Sequence, residues 1–130
     1  MAPRGSILSD NDVRVLVVDD VDDAAEALAG VLELNGYVAR TAHDGASALQ
    51  LTKEFLPHCI LLDVKMPGID GLELTHRLRS SYGDDIVLVA VTGCCADEAR
   101  VSETFELVDH YLTKPIDMAK LETILPPRPG

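Results

Sequence analysis

Five short apolar runs punctuate the chain, and four of them stop at a polar residue. Val13 to Val18 ends at Asp19-Asp20, His58 to Leu62 at Asp63, Ile86 to Val91 at Thr92-Gly93, and Asp109 to Leu112 at Thr113-Lys114-Pro115. Tyr37 to Thr41 is equally short and β-prone. Apolar runs of this length, bounded by turn residues, predict strands, and their continuity predicts strands buried on both faces. Between them the apolar positions recur at helical spacing. Asp22 is placed to cap a helix carrying Ala25, Leu28, Val31 and Leu32, with Asn35-Gly36 as its stop. Gly45 to Phe55 puts Ala48, Leu49 and Phe55 on one face before Pro57. Asp70 caps a helix with Leu72, Leu74 and Leu78, and Asp117 caps a last one with Leu121, Ile124 and Leu125 inward. The stretch Cys94 to Leu107 is polar and Glu-rich, with a weaker helical pattern around Ala99, Val101 and Phe105.

Strands alternating with helices predict an α/β fold, a parallel sheet with helices on both faces. Periodicity alone leaves the strand order open. The predicted organisation is a leader over 1–12, one domain over 13–125 and a Pro-rich tail over 126–130. A chain of 130 residues, 47% hydrophobic, is enough for one core. The net charge of −11 disfavours direct nucleic-acid binding, which needs clustered Lys and Arg; it is explained first by solubility, and a divalent cation would be welcome wherever the acids converge. No stretch is long and apolar enough for a membrane span, and the first residues lack a signal-peptide core. Three cysteines fit neither a disulfide framework nor a zinc site, so a cytoplasmic location with free thiols is expected. His43, His58, His76 and His110 lack metal-ligand spacing and are expected at the surface or half-buried.

The ends of parallel strands share one edge of the sheet, where open α/β sheets bind ligands. Asp19-Asp20, Asp63, Thr92 and Lys114-Pro115 therefore converge from four distant stretches. Three carboxylates crowded together repel, and a hard divalent cation relieves the crowding. With a hydroxyl and a lysine beside them, the implied chemistry is phosphoryl transfer: an aspartate attacks phosphorus while metal and lysine offset the charge on the phosphoryl oxygens.

The blocks Val17-Val18-Asp19-Asp20, Leu61-Leu62-Asp63-Val64-Lys65-Met66-Pro67-Gly68, Val91-Thr92-Gly93 and Tyr111-Leu112-Thr113-Lys114-Pro115, with their spacing, resemble the response-regulator receiver domain of two-component signalling. The resemblance runs from Val13 to about Leu125. It implies a flavodoxin-like doubly wound sheet of order 2-1-3-4-5. It also implies that Asp63 accepts a phosphoryl group from a sensor histidine kinase or a histidine phosphotransfer domain. Mg²⁺ (or Mn²⁺) would be held by Asp20 directly, by Asp19 largely through water, by Asp63, and by the backbone carbonyl of Lys65. Lys114 would pair with Asp63 and then with the phosphoryl oxygens, across a cis bond to Pro115. Thr92 would turn toward the phosphoryl group and Tyr111 inward after it, a population shift driven by the added charge. The alternative for Tyr111 is a half-buried aromatic at the sheet edge. Output would run through the fourth helix, the fifth strand and the last helix to an unknown downstream protein, or by relay. Such a domain catalyses its own phosphorylation and slow dephosphorylation rather than conventional turnover.

Lys65 and Cys94 border the expected path of hydrolytic water, and neither predicts a shortened phosphoryl lifetime. Where the family often has glycine before the fifth strand, this chain has Glu106-Leu107-Val108. The expected organisation is a stand-alone phosphoacceptor switch, and two alternatives stay open: a receiver cut from a hybrid kinase, with Pro126 to Pro129 as linker, and a phosphorylation-independent interaction module. A phosphohydrolase working through an aspartyl phosphate commonly has a second acid two residues after its nucleophile. Here that residue is Lys65, which disfavours it.

Overall fold

The computed structural model describes residues 13–63, 71–92, 107–113 and 116–125. Five strands form one parallel sheet: β1 (Arg14–Val18), β2 (Val38–Ala42), β3 (Cys59–Asp63), β4 (Val87–Thr92) and β5 (His110–Thr113), in the order β2-β1-β3-β4-β5. This is the doubly wound α/β order expected from the resemblance. Three helices, α1 (Asp22–Leu34), α2 (Gly45–Phe55) and α3 (Gly71–Tyr82), and a C-terminal helix Met118–Ile124 flank it. The leader, Asp70, the stretch expected as a fourth helix up to Glu106 and the Pro-rich tail lie outside the described residues.

The two-residue period of the strands divides the core between the sheet faces. Val13, Val15, Val17, Cys59, Leu61, Val89 and Val91 pack with Ala25, Ala29 and Leu32 of α1 and with Leu121 and Leu125. Leu16, Val18, Ile60, Leu62 and Leu88 take the opposite face with Ala48 of α2 and Leu74 and Leu78 of α3. With both faces covered, β1 and β3 are buried along nearly their whole length, which is why they read as unbroken apolar runs.

The helix ends follow their local chemistry. Helix α1 stops in a Schellman arrangement: the Gly36 N–H donates to Glu33 O and the Tyr37 N–H to Leu32 O, with Gly36 at φ 93°. Asp44 caps α2 by accepting the Ser47 N–H at 2.7 Å, and Asp117 caps the C-terminal helix by accepting the Ala119 N–H at 2.9 Å.

Two expectations need correction. Val21, not Asp22, occupies the N-cap of α1, with no side-chain cap bond, and Asp22 is the first helical residue. The Asp22 carboxylate instead lies 3.1 Å from His43 Nδ1, and in the first turn it still complements the positive end of the helix. Val31, expected inward, is 41% exposed. The buried stripe of α1 is Ala25, Ala29 and Leu32, and Val31 stands at its margin.

Candidate functional site

Sheet register brings Asp19, Asp20, Asp63 and Thr92 to one edge. Val18 pairs with Leu62, Asp63 with Val91, and Thr92 with Thr113. Asp19 follows β1 directly, Asp63 and Thr92 close β3 and β4, and Lys114 is the next residue in the chain after β5. Lys65, Lys114, Pro115 and Cys94 lie outside the described residues.

Asp19 and Asp63 continue the alternation of Val17 and Leu61, so both face the α1 side of the sheet. Asp19 is 7% and Asp63 9% exposed, while Asp20 is exposed. Asp19 is fixed at both ends: its N–H donates to Ala42 O at 3.1 Å, and its Oδ1 accepts the Val21 N–H at 3.0 Å. That second bond draws the chain from β1 into α1 and holds Asp20 at the rim. One carboxylate oxygen from each of Asp19, Asp20 and Asp63 lies within 4.8 Å of the others.

This donor set suits a hard divalent cation. Mg²⁺ takes oxygen ligands at about 2.0–2.1 Å and keeps several waters, so it needs only a few carboxylates with an open side. Two largely buried acids and one at the rim meet that requirement, and the acidic pocket can hold a metal ion. The mutual repulsion of the three carboxylates is the cost of building it.

Asp19 and Asp63 also line a cavity of about 400 Å³ whose other walls are chiefly apolar: Ala24, Leu28 and Val31 of α1, Leu61 and Val91 of the sheet, and Met118. A reading of polar spacing misses it, because its walls look like ordinary core positions. Tyr111, on the edge strand, is 58% exposed. The histidines stand as expected: His58 is half-buried, and His43, His76 and His110 are exposed.

Residues 15–126 match the family model of the response regulator receiver domain. The chain belongs to that family. Among its relatives, the response regulator MprA of Mycobacterium ulcerans (strain Agy99) is 40% identical over 109 residues, which are 84% of this receiver and 47% of the relative. MprA of Mycobacterium tuberculosis (strain ATCC 25618 / H37Rv) is 39% identical over the same share of each chain. The receiver thus spans about half the length of the curated relatives it matches. A response regulator receiver protein from Pseudomonas putida superposes with a TM-score of 0.77 at 27% identity, covering 91% of this chain and 97% of that one. A receiver domain from Methylobacillus flagellatus superposes with a TM-score of 0.74 at 32% identity, covering 87% and 95%. Among the described residues, no helix of the receiver is long and apolar enough to cross a membrane.

Proposed function

We propose that this receiver accepts a phosphoryl group on Asp63 from a phosphohistidine donor, a sensor histidine kinase or a histidine phosphotransfer domain, and passes the change on by protein–protein contact. The observation that carries the reading is the position of Asp63: a largely buried carboxylate at the end of a central strand, within 4.8 Å of two further acids. Burial fixes the rotamer of a nucleophile and limits its solvation, and the neighbouring acids need a cation that would also offset phosphoryl charge.

In the transfer, an Asp63 carboxylate oxygen bonds to phosphorus as the phosphorus–nitrogen bond of the donor breaks, and the imidazole leaves with the bonding pair. Asp19 and Asp20, with Asp63 and the Lys65 carbonyl, would hold Mg²⁺, which offsets negative charge on the phosphoryl oxygens when bound. The Lys114 ammonium would pair with Asp63 before transfer and with a phosphoryl oxygen after it, and the Thr92 hydroxyl would donate to another. Tyr111 sits one residue before Leu112, the buried anchor of β5, so a turn of its ring would report the change to the surface formed by the stretch before β5, β5 itself and the C-terminal helix. A donor of this kind sets the compartment as the cytoplasm, where Cys59, a free buried thiol, stays reduced.

The test is incubation with Mg²⁺ and acetyl phosphate followed by intact mass. One phosphoryl adduct on the wild type and none on Asp63→Asn is expected. An unmodified wild type, or an undiminished adduct on the variant, overturns the proposal.

A further inference from the structure

Strand β5 has little of its own to fix its register. It is four residues long, it lies at the sheet edge, and only Leu112 is buried. Register in a sheet is set mainly by the pattern of buried side chains, and a slip of one residue exchanges the two faces. One buried residue is a weak specification. Yet β5 delivers the chain to the edge where Asp63 and Thr92 end their strands, with Thr113 opposite Thr92.

At the other end of the strand, Arg79 donates hydrogen bonds to four groups, with the exposed Asp84 carboxylate a further 3.8 Å from its Nη1. Its Nε donates to Leu107 O at 2.6 Å, its Nη1 to Gly83 O at 2.9 Å and Ile86 O at 3.3 Å, and its Nη2 to Asp109 Oδ2 at 2.9 Å. The end of α3, the turn into β4 and the chain entering β5 are thereby joined by one guanidinium. Asp109 completes the join on β4. Its N–H donates to Leu88 O and its Oδ2 accepts the Leu88 N–H, both at 2.9 Å. The carboxylate stands where a strand carbonyl would continue the ladder. Leu88 is 1% exposed, so losing this acceptor would leave a buried N–H without a partner, which is costly. Burial alone would raise the Asp109 carboxyl, but the Leu88 N–H and the Arg79 guanidinium hold it below the ordinary carboxylate range, so the pair stays charged at neutral pH.

We infer that Arg79 and Asp109 form a positioning clamp that sets the register of β5 and, through it, the placement of its C-terminal end in the phosphoryl-transfer edge. Its catalytic consequence rests on the proposed function of Asp63, and its structural consequence does not. The clamp grips the N-terminal end of a strand of about 10 Å, so an error there is carried to the far end. A displacement near 1 Å is enough to slow a positioned reaction substantially.

The test compares the wild type with Asp109→Ala, Arg79→Met and Arg79→Lys, each shown to be folded by its near-UV spectrum. The acetyl-phosphate phosphorylation rate should fall by about tenfold in the first two and by less in Arg79→Lys, which keeps the charge but cannot reach four acceptors. Mg²⁺ affinity, which reports on β1 and β3, should stay within about twofold of the wild type. Cross-strand nuclear Overhauser contacts should show β4–β5 pairing shifted or lost and β1–β3 pairing intact. Unchanged rates with all four β4–β5 pairings retained overturn the clamp, as does a parallel fall in rate and Mg²⁺ affinity. If the wild type takes up no phosphoryl group, the function fails, and the pairing measurement still decides the clamp. If Asp109→Ala or Arg79→Met does not fold, Arg79→Lys decides it by the same comparison.

Discussion

Replacing Asp20 by Asn separates the two roles of the acidic cluster. Asp20 is the exposed member, and Asn keeps its shape while removing its charge. At the 4.8 Å limit of the cluster, two unit charges repel by roughly 0.9 kcal/mol at the dielectric of water, and by more near the protein surface. Asp20 has two such neighbours, but the proposed pairing of Lys114 with Asp63 offsets part of the repulsion, so without metal and at low salt the variant should be more stable by about 1 kcal/mol. For a domain of this size that is a rise in Tm of roughly 3–6 °C. Magnesium should reverse the order of gains. At a concentration of 100 times Kd it stabilises the wild type by about 2.7 kcal/mol, whereas the variant has lost a ligand and should gain far less. The assay is urea unfolding in EDTA and again in MgCl2 at matched ionic strength. A variant that is neutral or destabilised in EDTA, or one that gains as much from Mg²⁺ as the wild type, would refute the view that these carboxylates are a strained cation site.

His58 gives a pH dependence of known sign. Its Nδ1 accepts the Arg14 N–H at 3.0 Å, and burial, helped by the Arg14 charge, holds its pKa below the ordinary 6.5. The unfolded chain then binds the proton first, so stability should fall as pH drops from about 6.5 through the folded value and stay level above it. His58→Gln should flatten that part of a urea-midpoint profile, and identical profiles would count against the assignment. Leu56 is the one described non-glycine residue at positive φ (52°) and is 57% exposed, so Leu56→Gly should raise stability by about 0.5–1 kcal/mol in the same assay despite the entropy of glycine. Asp44→Ala removes the cap of α2 and should cost about 1 kcal/mol at neutral pH. That loss should shrink in acid, because the Ser47 N–H holds the Asp44 carboxyl below its ordinary 3.8 and the cap's contribution disappears as pH falls through the folded value.

Hydrophobic patterning located every described strand but misjudged where most of them end. The apolar runs stop at Thr41, Leu62, Val91 and Leu112, whereas the strands continue through Ala42, Asp63, Thr92 and Thr113. In β3, β4 and β5 the missed residue is polar, and a reading by hydropathy halts there, but the hydrogen-bond ladder is made by backbone and continues through it. That single residue matters for Asp63 and Thr92, which stand within the sheet rather than in a loop beyond it. The acid cluster was legible because parallel topology converts strand ends into neighbours. The N-cap of α1 was not, since Asp19, Asp20, Asp22 and Asp23 all have suitable side chains and only tertiary partners such as His43 separate them. The Arg79–Asp109 pair spans 30 residues and the Arg14–His58 bond 44, and no local period marks either.

The sheet is unequal in a way that suits a switch. The strands β1, which leads into Asp19, and β3, which carries Asp63, are each hydrogen-bonded on both sides and packed on both faces, so opening them approaches global unfolding. The edge strand carrying Tyr111 has one buried residue and a single strand neighbour. Charge added at a rigid acceptor has to be read by something that can move at modest cost, since a population shift is no larger than the difference in interaction between two accessible states. A firmly cored β5 would hold one state whatever happened at Asp63, and an unanchored one would lose its place in the site. A side-chain clamp at one end of a lightly buried strand lies between these extremes: it fixes the position along the strand while the ring of Tyr111 stays exposed.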